Sequence, residues 1–178
     1  MALVKTAADR SRSHFVRRVL AYLVDVALLF VVLAPLGFLV QRLLGMEPAS
    51  TPRGIYLTLL LNFSLPVFVY FTASDASAAG STLGKRILGL RVEDGRGSRL
   101  TVGRAALRTA IKVLPWETTH ASAFLVVPAL GHFGTTSWGG LAVAYAASLV
   151  YLVVAWRSGG RRSVHDLAAG SRVMRRAA

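Results

Sequence analysis

Arg18 and Asp25 are the first residues in this chain whose types and spacing could do chemistry. Seven positions apart, they share one face of a helix after nearly two turns, about 10 Å apart along its axis. Asp25 is the single charge in residues 19–40. A carboxylate about two turns into a lipid-facing helix costs roughly 2.5–3.5 kcal/mol on insertion scales. Asp25 therefore has to face other helices. There it either holds a bundle together through a buried pair with Arg or Lys, or serves as an ion or proton site.

A second constellation is Glu117 and His120, placed at i and i+3 on one helical face. Carboxylate-bridged metal sites in helix bundles use that spacing, but they need matching ligands from other helices. The remaining candidates are Asp25, His165 and Asp166, so the metal question stays open beside the plainer reading of an interfacial hydrogen-bond network. Asn62 stacks with Thr58 and Pro66 at four-residue spacing and joins the accessory polar candidates. His165-Asp166 follows Arg161-Arg162, two arginines suited to lipid phosphate. Adjacent His and Asp side chains diverge, and Ser163 lacks a nucleophile elbow, so neither a hydrolase nor any other enzyme is expected. Gly80-Ser81-Thr82-Leu83-Gly84-Lys85-Arg86 has the wrong spacing for a phosphate loop. It reads as a tight turn with Lys85 and Arg86 snorkelling to the interface. No cofactor is expected.

The elements that position these residues follow from charge. The 178 residues carry 21 Lys plus Arg against 8 Asp plus Glu, a net charge of +13, yet 54% are hydrophobic and residues 118–156 contain no charge at all. That combination fits an integral membrane protein. High apolar content excludes disorder, and the absence of cysteine excludes a disulfide scaffold and thiol chemistry. Nucleic-acid binding is not expected, because the basic residues stand in blocks flanking uncharged stretches.

The pattern predicts one all-α membrane domain over 1–178 with four spans at about 19–40, 55–73, 113–130 and 141–156, the last two split by a glycine-rich turn over 131–140. Pro35 and Gly37 are expected to kink the first span or end it early. The uncharged run over 19–40 is too long for a signal core and lacks a cleavage pattern, so it reads as an uncleaved anchor. Basic residues number 5 before the first span, 2 in residues 41–54, 8 in 74–112, none in 131–140 and 6 after the fourth. By the positive-inside rule both termini and the 74–112 loop are cytoplasmic, as is the tail over 157–178, in a bacterial inner membrane.

Within the loop, 87–93 reads as a strand, 94–97 as a turn and 99–102 as a returning strand, a β-hairpin. Gly-Leu-Arg-Val at 89–92 and Gly-Ser-Arg-Val at 170–173 also suggest that those two segments pair. Residues 102–114 read as an amphipathic helix capped by Thr101. Arg104, Arg108 and Lys112 form a basic stripe on it, suited either to an anionic membrane surface or to covering another cytoplasmic element.

Three segments together resemble the RDD family of small membrane proteins, named for an arginine and two aspartates. They are Arg18-Val-Leu-Ala-Tyr-Leu-Val-Asp25, the run from Gly80 to Val92, and Val164-His-Asp166 onward to Val173. On that mapping the eponymous residues are Arg18, Asp25 and Asp166, and Trp116 to His120 resembles a variant found in a subset of the family. The resemblance implies transport of a small solute, or exchange of a monovalent cation for protons through Asp25 with Arg18 as its electrostatic partner and Asp166 closing the cytoplasmic side. Four helices make a thin wall for such a path, so a homo-oligomer is expected. The alternatives are a non-transporting scaffold that binds a partner membrane protein, and a metal-dependent protein using Glu117 and His120.

Overall fold

The computed structural model describes residues 7–126 and 135–176. Three of its helices are long and apolar enough to cross a membrane: Ser11–Leu43, Pro52–Ala76 and Trp138–Arg157. The first lies within α1 (Ala7–Leu43), which continues through Pro35 to Leu43 and does not end early. The second consists of α2 (Pro52–Leu59), a π-helical turn over Leu60–Ser64, and α3 (Leu65–Ala76). Thr51 caps α2 by accepting from the Gly54 amide, and Pro52 occupies the first turn, where its missing N–H costs nothing.

A short helix, α4 (Leu83–Ile87), follows, and then strand β1 (Leu90–Asp94). Helix α5 (Val102–Ala121) starts at Thr101, whose hydroxyl accepts from the Arg104 amide, and runs into a second π-helical turn, Ser122–Val126. The segments expected as a surface helix over 102–114 and the start of a span at 113 are thus one helix. The end of that expected span and the first part of the 131–140 turn lie outside the described residues. Helix α6 (Thr135–Arg157), α7 (Val164–Ala168) and β2 (Ser171–Arg175) complete the order.

The expected hairpin does not form. β1 pairs antiparallel with β2, Val92 opposite Val173, so the strand partner comes from the tail and not from residues 99–102. That segment instead delivers Leu100 to the core and Thr101 to the cap of α5. Alternation along the two strands turns Leu90, Val92 and Val173 to one face, where they bury with Leu100, Ala105 and Ala21. Ala21 belongs to the first span, so this small core ties the sheet to the membrane helix. The His14 ring, also on α1, bonds the Val173 carbonyl at 3.1 Å.

Candidate functional site

Where α1, α3, α4, α5 and α7 meet, side chains of alternating charge form a chain: Arg18, Asp166, Arg108, Asp75 and Lys85. Arg18 pairs with Asp166, and Arg108 Nε reaches Asp166 Oδ1 at 2.9 Å. The other end of the Arg108 guanidinium holds Asp75, whose second oxygen accepts from Lys85 Nζ at 2.5 Å. Both carboxylates are fully buried, and Arg108 is 1% exposed. A planar guanidinium presents several donors in a fixed fork, so it can bridge two carboxylates as an ammonium cannot.

Local structure sets each member. Ser163 and Asp166 form a capping box at the start of α7, in which the Ser163 amide donates to Asp166 Oδ2 at 2.9 Å. Ser171 adds a hydroxyl to Oδ1 at 3.0 Å. Arg18 also donates to the Gly160 carbonyl at 3.0 Å. Gly160 has φ +80°, and a Cβ there would lie 2.6 Å from Phe15 Cα, so only glycine fits. Burial alone would raise the Asp166 carboxyl, but the Arg108 and Arg18 guanidiniums more than offset it and hold the group well below the usual range.

Asp25 stands beside this chain and not in it. Its carboxylate accepts from the Tyr70 hydroxyl at 2.8 Å, the Thr82 hydroxyl at 2.5 Å and the Gly84 amide at 2.8 Å. It thereby anchors the start of α4 to α1, helped by the bare Cα of Gly84, where a Cβ would lie 2.1 Å from the Ala21 carbonyl oxygen. Arg18, the partner expected for Asp25, turns to Asp166 because α7 brings it a carboxylate already aligned by the capping box.

The residues expected to meet lipid phosphate divide. Lys85 and Arg108 are buried against Asp75 and Asp166, which satisfies their charge inside the protein. Arg104 donates to the Ala169 and Gly170 carbonyls. Lys112 lies over the Phe71 ring, its Nζ 3.1 Å from the centroid, with Tyr22 at 4.9 Å. The basic stripe of α5 thus turns inward. Arg86, Arg161 and Arg162 remain exposed. Asp75 was missed because it falls just past the uncharged run over 55–73. The basic stripe at helical spacing left open whether its counter-charge was lipid or a carboxylate, so it did not single out Asp75.

Glu117 and His120 lie further along α5 with Nδ1 3.8 Å from Oε1, and the His120 ring meets Trp116 edge-on. Ser64 of the π-helical turn faces Glu117. Among the described residues no group of three or more His, Cys, Asp or Glu side chains could hold a metal. His165 belongs to the ion cluster, and Asn62 bonds the Thr58 carbonyl of its own helix.

A cavity of about 460 Å³ opens above the ion cluster between α1, α5 and α6. Arg18, Asp25, Lys85, Arg108, Lys112 and His165 border it on one side, while Val19, Trp116, Ala144 and Leu152 line the rest. His165 Nε2 lies 2.9 Å from Arg18 Nη2. A guanidinium only donates, so Nε2 accepts and the ring proton sits on Nδ1. Burial first, then the neighbouring charges of Arg108, Arg18 and Lys112, outweigh Asp166 and keep this imidazole well below its ordinary range, hence neutral near pH 7. Nδ1 itself is buried and bonds no protein group.

Apolar helices gathered around a buried arginine–aspartate cluster, with a two-stranded sheet tying the tail to the central loop, define a small membrane protein. The RDD family model matches residues 12–170, so the chain belongs to the RDD family. Neither curated proteins nor solved structures give a match.

Proposed function

We propose that this RDD-family chain is a four-span protein of the bacterial inner membrane, with both termini cytoplasmic, that binds and moves a small anionic solute through the cavity between α1, α5 and α6. The uneven loop charge supports the orientation. Three helices have the length and composition of spans, and the reading takes the second half of α5 with its π-helical turn as the start of the remaining one. The observation that carries the reading is the wall of that cavity. Four cationic side chains, Arg18, Lys85, Arg108 and Lys112, line it with the single carboxylate of Asp25, and Asp75 and Asp166, outside the lining, pair with three of the four. The excess is positive, which favours an anion over a metal cation.

Exchange of a monovalent cation through Asp25 has less support, because that carboxylate already accepts three hydrogen bonds. The test is efflux from sealed liposomes holding the purified protein and hexanesulfonate, an organic anion that stays charged. Efflux above that of empty liposomes, lost when Ala144→Phe fills the cavity, is the expected result. No efflux, or a sodium-driven pH change that Asp25→Asn abolishes, would sink this reading. Silence together with a co-purifying membrane protein would turn it toward a scaffold.

A further inference from the structure

The cavity has two chemically distinct ends. At one end Lys112 Nζ has aromatic faces for neighbours and no carboxylate within ion-pair distance among the described residues. His165 Nδ1, on a buried side chain, carries a proton and meets no acceptor among the described residues. The Lys112 and His165 side chains both line the same space. Burial disfavours the charged form of Lys112, so an ammonium there, like a buried ring N–H without an acceptor, is costly unless an acidic group arrives from outside. Toward the other end the lining is apolar and aromatic, and it runs out to the lipid-facing side of the helices, where Tyr145 is 70% and Leu152 50% exposed. α1 and α6 come close at only a few points. A volume near 460 Å³ lies within the range of small-molecule sites.

We propose that this cavity takes a single-chain anionic amphiphile from the bilayer, its acidic head on Lys112 and His165 and its alkyl chain leaving between α1 and α6 past Trp116 and Leu152. The inference deepens the solute reading above by naming the ligand class and its route of entry. Ionic attraction draws the head inward, and burial of the chain supplies the rest of the affinity. Lys85 and Arg108 do not compete for the head, since Asp75 and Asp166 already hold them. The acidic head is a carboxylate or a phosphate monoester, as in a free fatty acid or a lysophospholipid.

Trp116 borders the cavity and reports on it once Trp138→Phe and Trp156→Phe leave it as the sole tryptophan. The protein in a non-ionic detergent is titrated with dibromostearic acid, its methyl ester, and a brominated lysophosphatidic acid, and bromine quenching is followed. Saturable quenching by one or both acids, with the ester about tenfold weaker, is expected. Carboxylate alone identifies a fatty acid as the ligand type, and phosphate alone a lysophospholipid. Lys112→Met should erase the preference for the acids, and Lys112→Arg should keep it. Ala144→Phe, which alters no charge, should weaken all three. Equal quenching by acid and ester, or an acid preference that survives both Lys112→Met and Ala144→Phe, would overturn the proposal. Binding without hexanesulfonate efflux would retain this inference and remove transport, and efflux without binding would do the reverse.

Discussion

Replacing Asp166 by asparagine tests whether the ion cluster holds the fold. The native carboxylate uses both oxygens: Oδ2 accepts from Arg18 and the Ser163 amide, and Oδ1 from Arg108 and Ser171. Asparagine keeps the shape but has one acceptor oxygen, so its NH2 group must face one of the two guanidiniums, donor against donor. Arg108 retains Asp75, whereas Arg18 is left with the Gly160 carbonyl and the His165 ring. Removing one partner of a buried pair costs about 3–5 kcal/mol, and the surviving contacts place Asp166→Asn near 3 kcal/mol. Denaturant unfolding in detergent micelles, followed by tryptophan fluorescence, measures it. Arg91→Gln is the control. Its side chain is 46% exposed, and loss of its pair with Glu93 should cost less than about 1 kcal/mol. Adding Arg18→Gln to Asp166→Asn should recover about 1 kcal/mol or more relative to the sum of the single changes, since the two residues share one contact. A cost for Asp166→Asn no larger than that of the Arg91→Gln control would refute the reasoning.

Three further outcomes are expected. Gly84→Ala drives a methyl into the Ala21 carbonyl, lifts α4 from α1, and should cost about 1–3 kcal/mol, read as a lower melting temperature. Asp25→Asn weakens one of three hydrogen bonds, with a cost of about 1 kcal/mol, and leaves the protein inserted and hexanesulfonate efflux intact; lost efflux at wild-type stability would give Asp25 a direct role in transport. The third outcome concerns pH. Burial and the charges of Arg108, Arg18 and Lys112 favour neutral His165 in the folded state and outweigh Asp166, so its folded value lies below the unfolded value of about 6.5. The stability it contributes is full above about pH 6.5 and is lost as pH falls toward the folded value. Unfolding midpoints at pH 7.5 and 5 should show the decline, and His165→Gln should flatten it.

The sequence exposed three candidate spans because uncharged runs of about 20 residues have few other uses. It exposed the family through three motifs, each near a span. It did not show which partners those motif residues take. Arg18 and Asp25 lie on one helical face, a regularity inside a single element. The ion cluster is set by how five elements dock, and helical spacing carries no information about that. The same limit explains the strands. A hairpin between 87–93 and 99–102 satisfied local turn chemistry, yet β1 found its partner some eighty residues away, hinted at by the repeated Gly-x-Arg-Val pattern. The four-residue stripe of Arg104, Arg108 and Lys112 was legible, but its direction depended on Asp75, a residue at the edge of a span that periodicity alone gives no reason to single out.

The stripe also joins the two parts of the site. Arg108 and Lys112 are one helical turn apart on α5, so the rotation of α5 that aims Arg108 at Asp75 and Asp166 fixes where Lys112 points. The carboxylates hold Arg108 so tightly that α5 has little freedom to turn. Lys112 is left against Phe71 and Tyr22 with its charge bordering the cavity. The arginine–aspartate cluster therefore need not touch a ligand to govern binding. By setting the phase of α5, it holds the Lys112 amine, which has no carboxylate partner among the described residues, on the wall of the cavity, where the proposed acid would meet it.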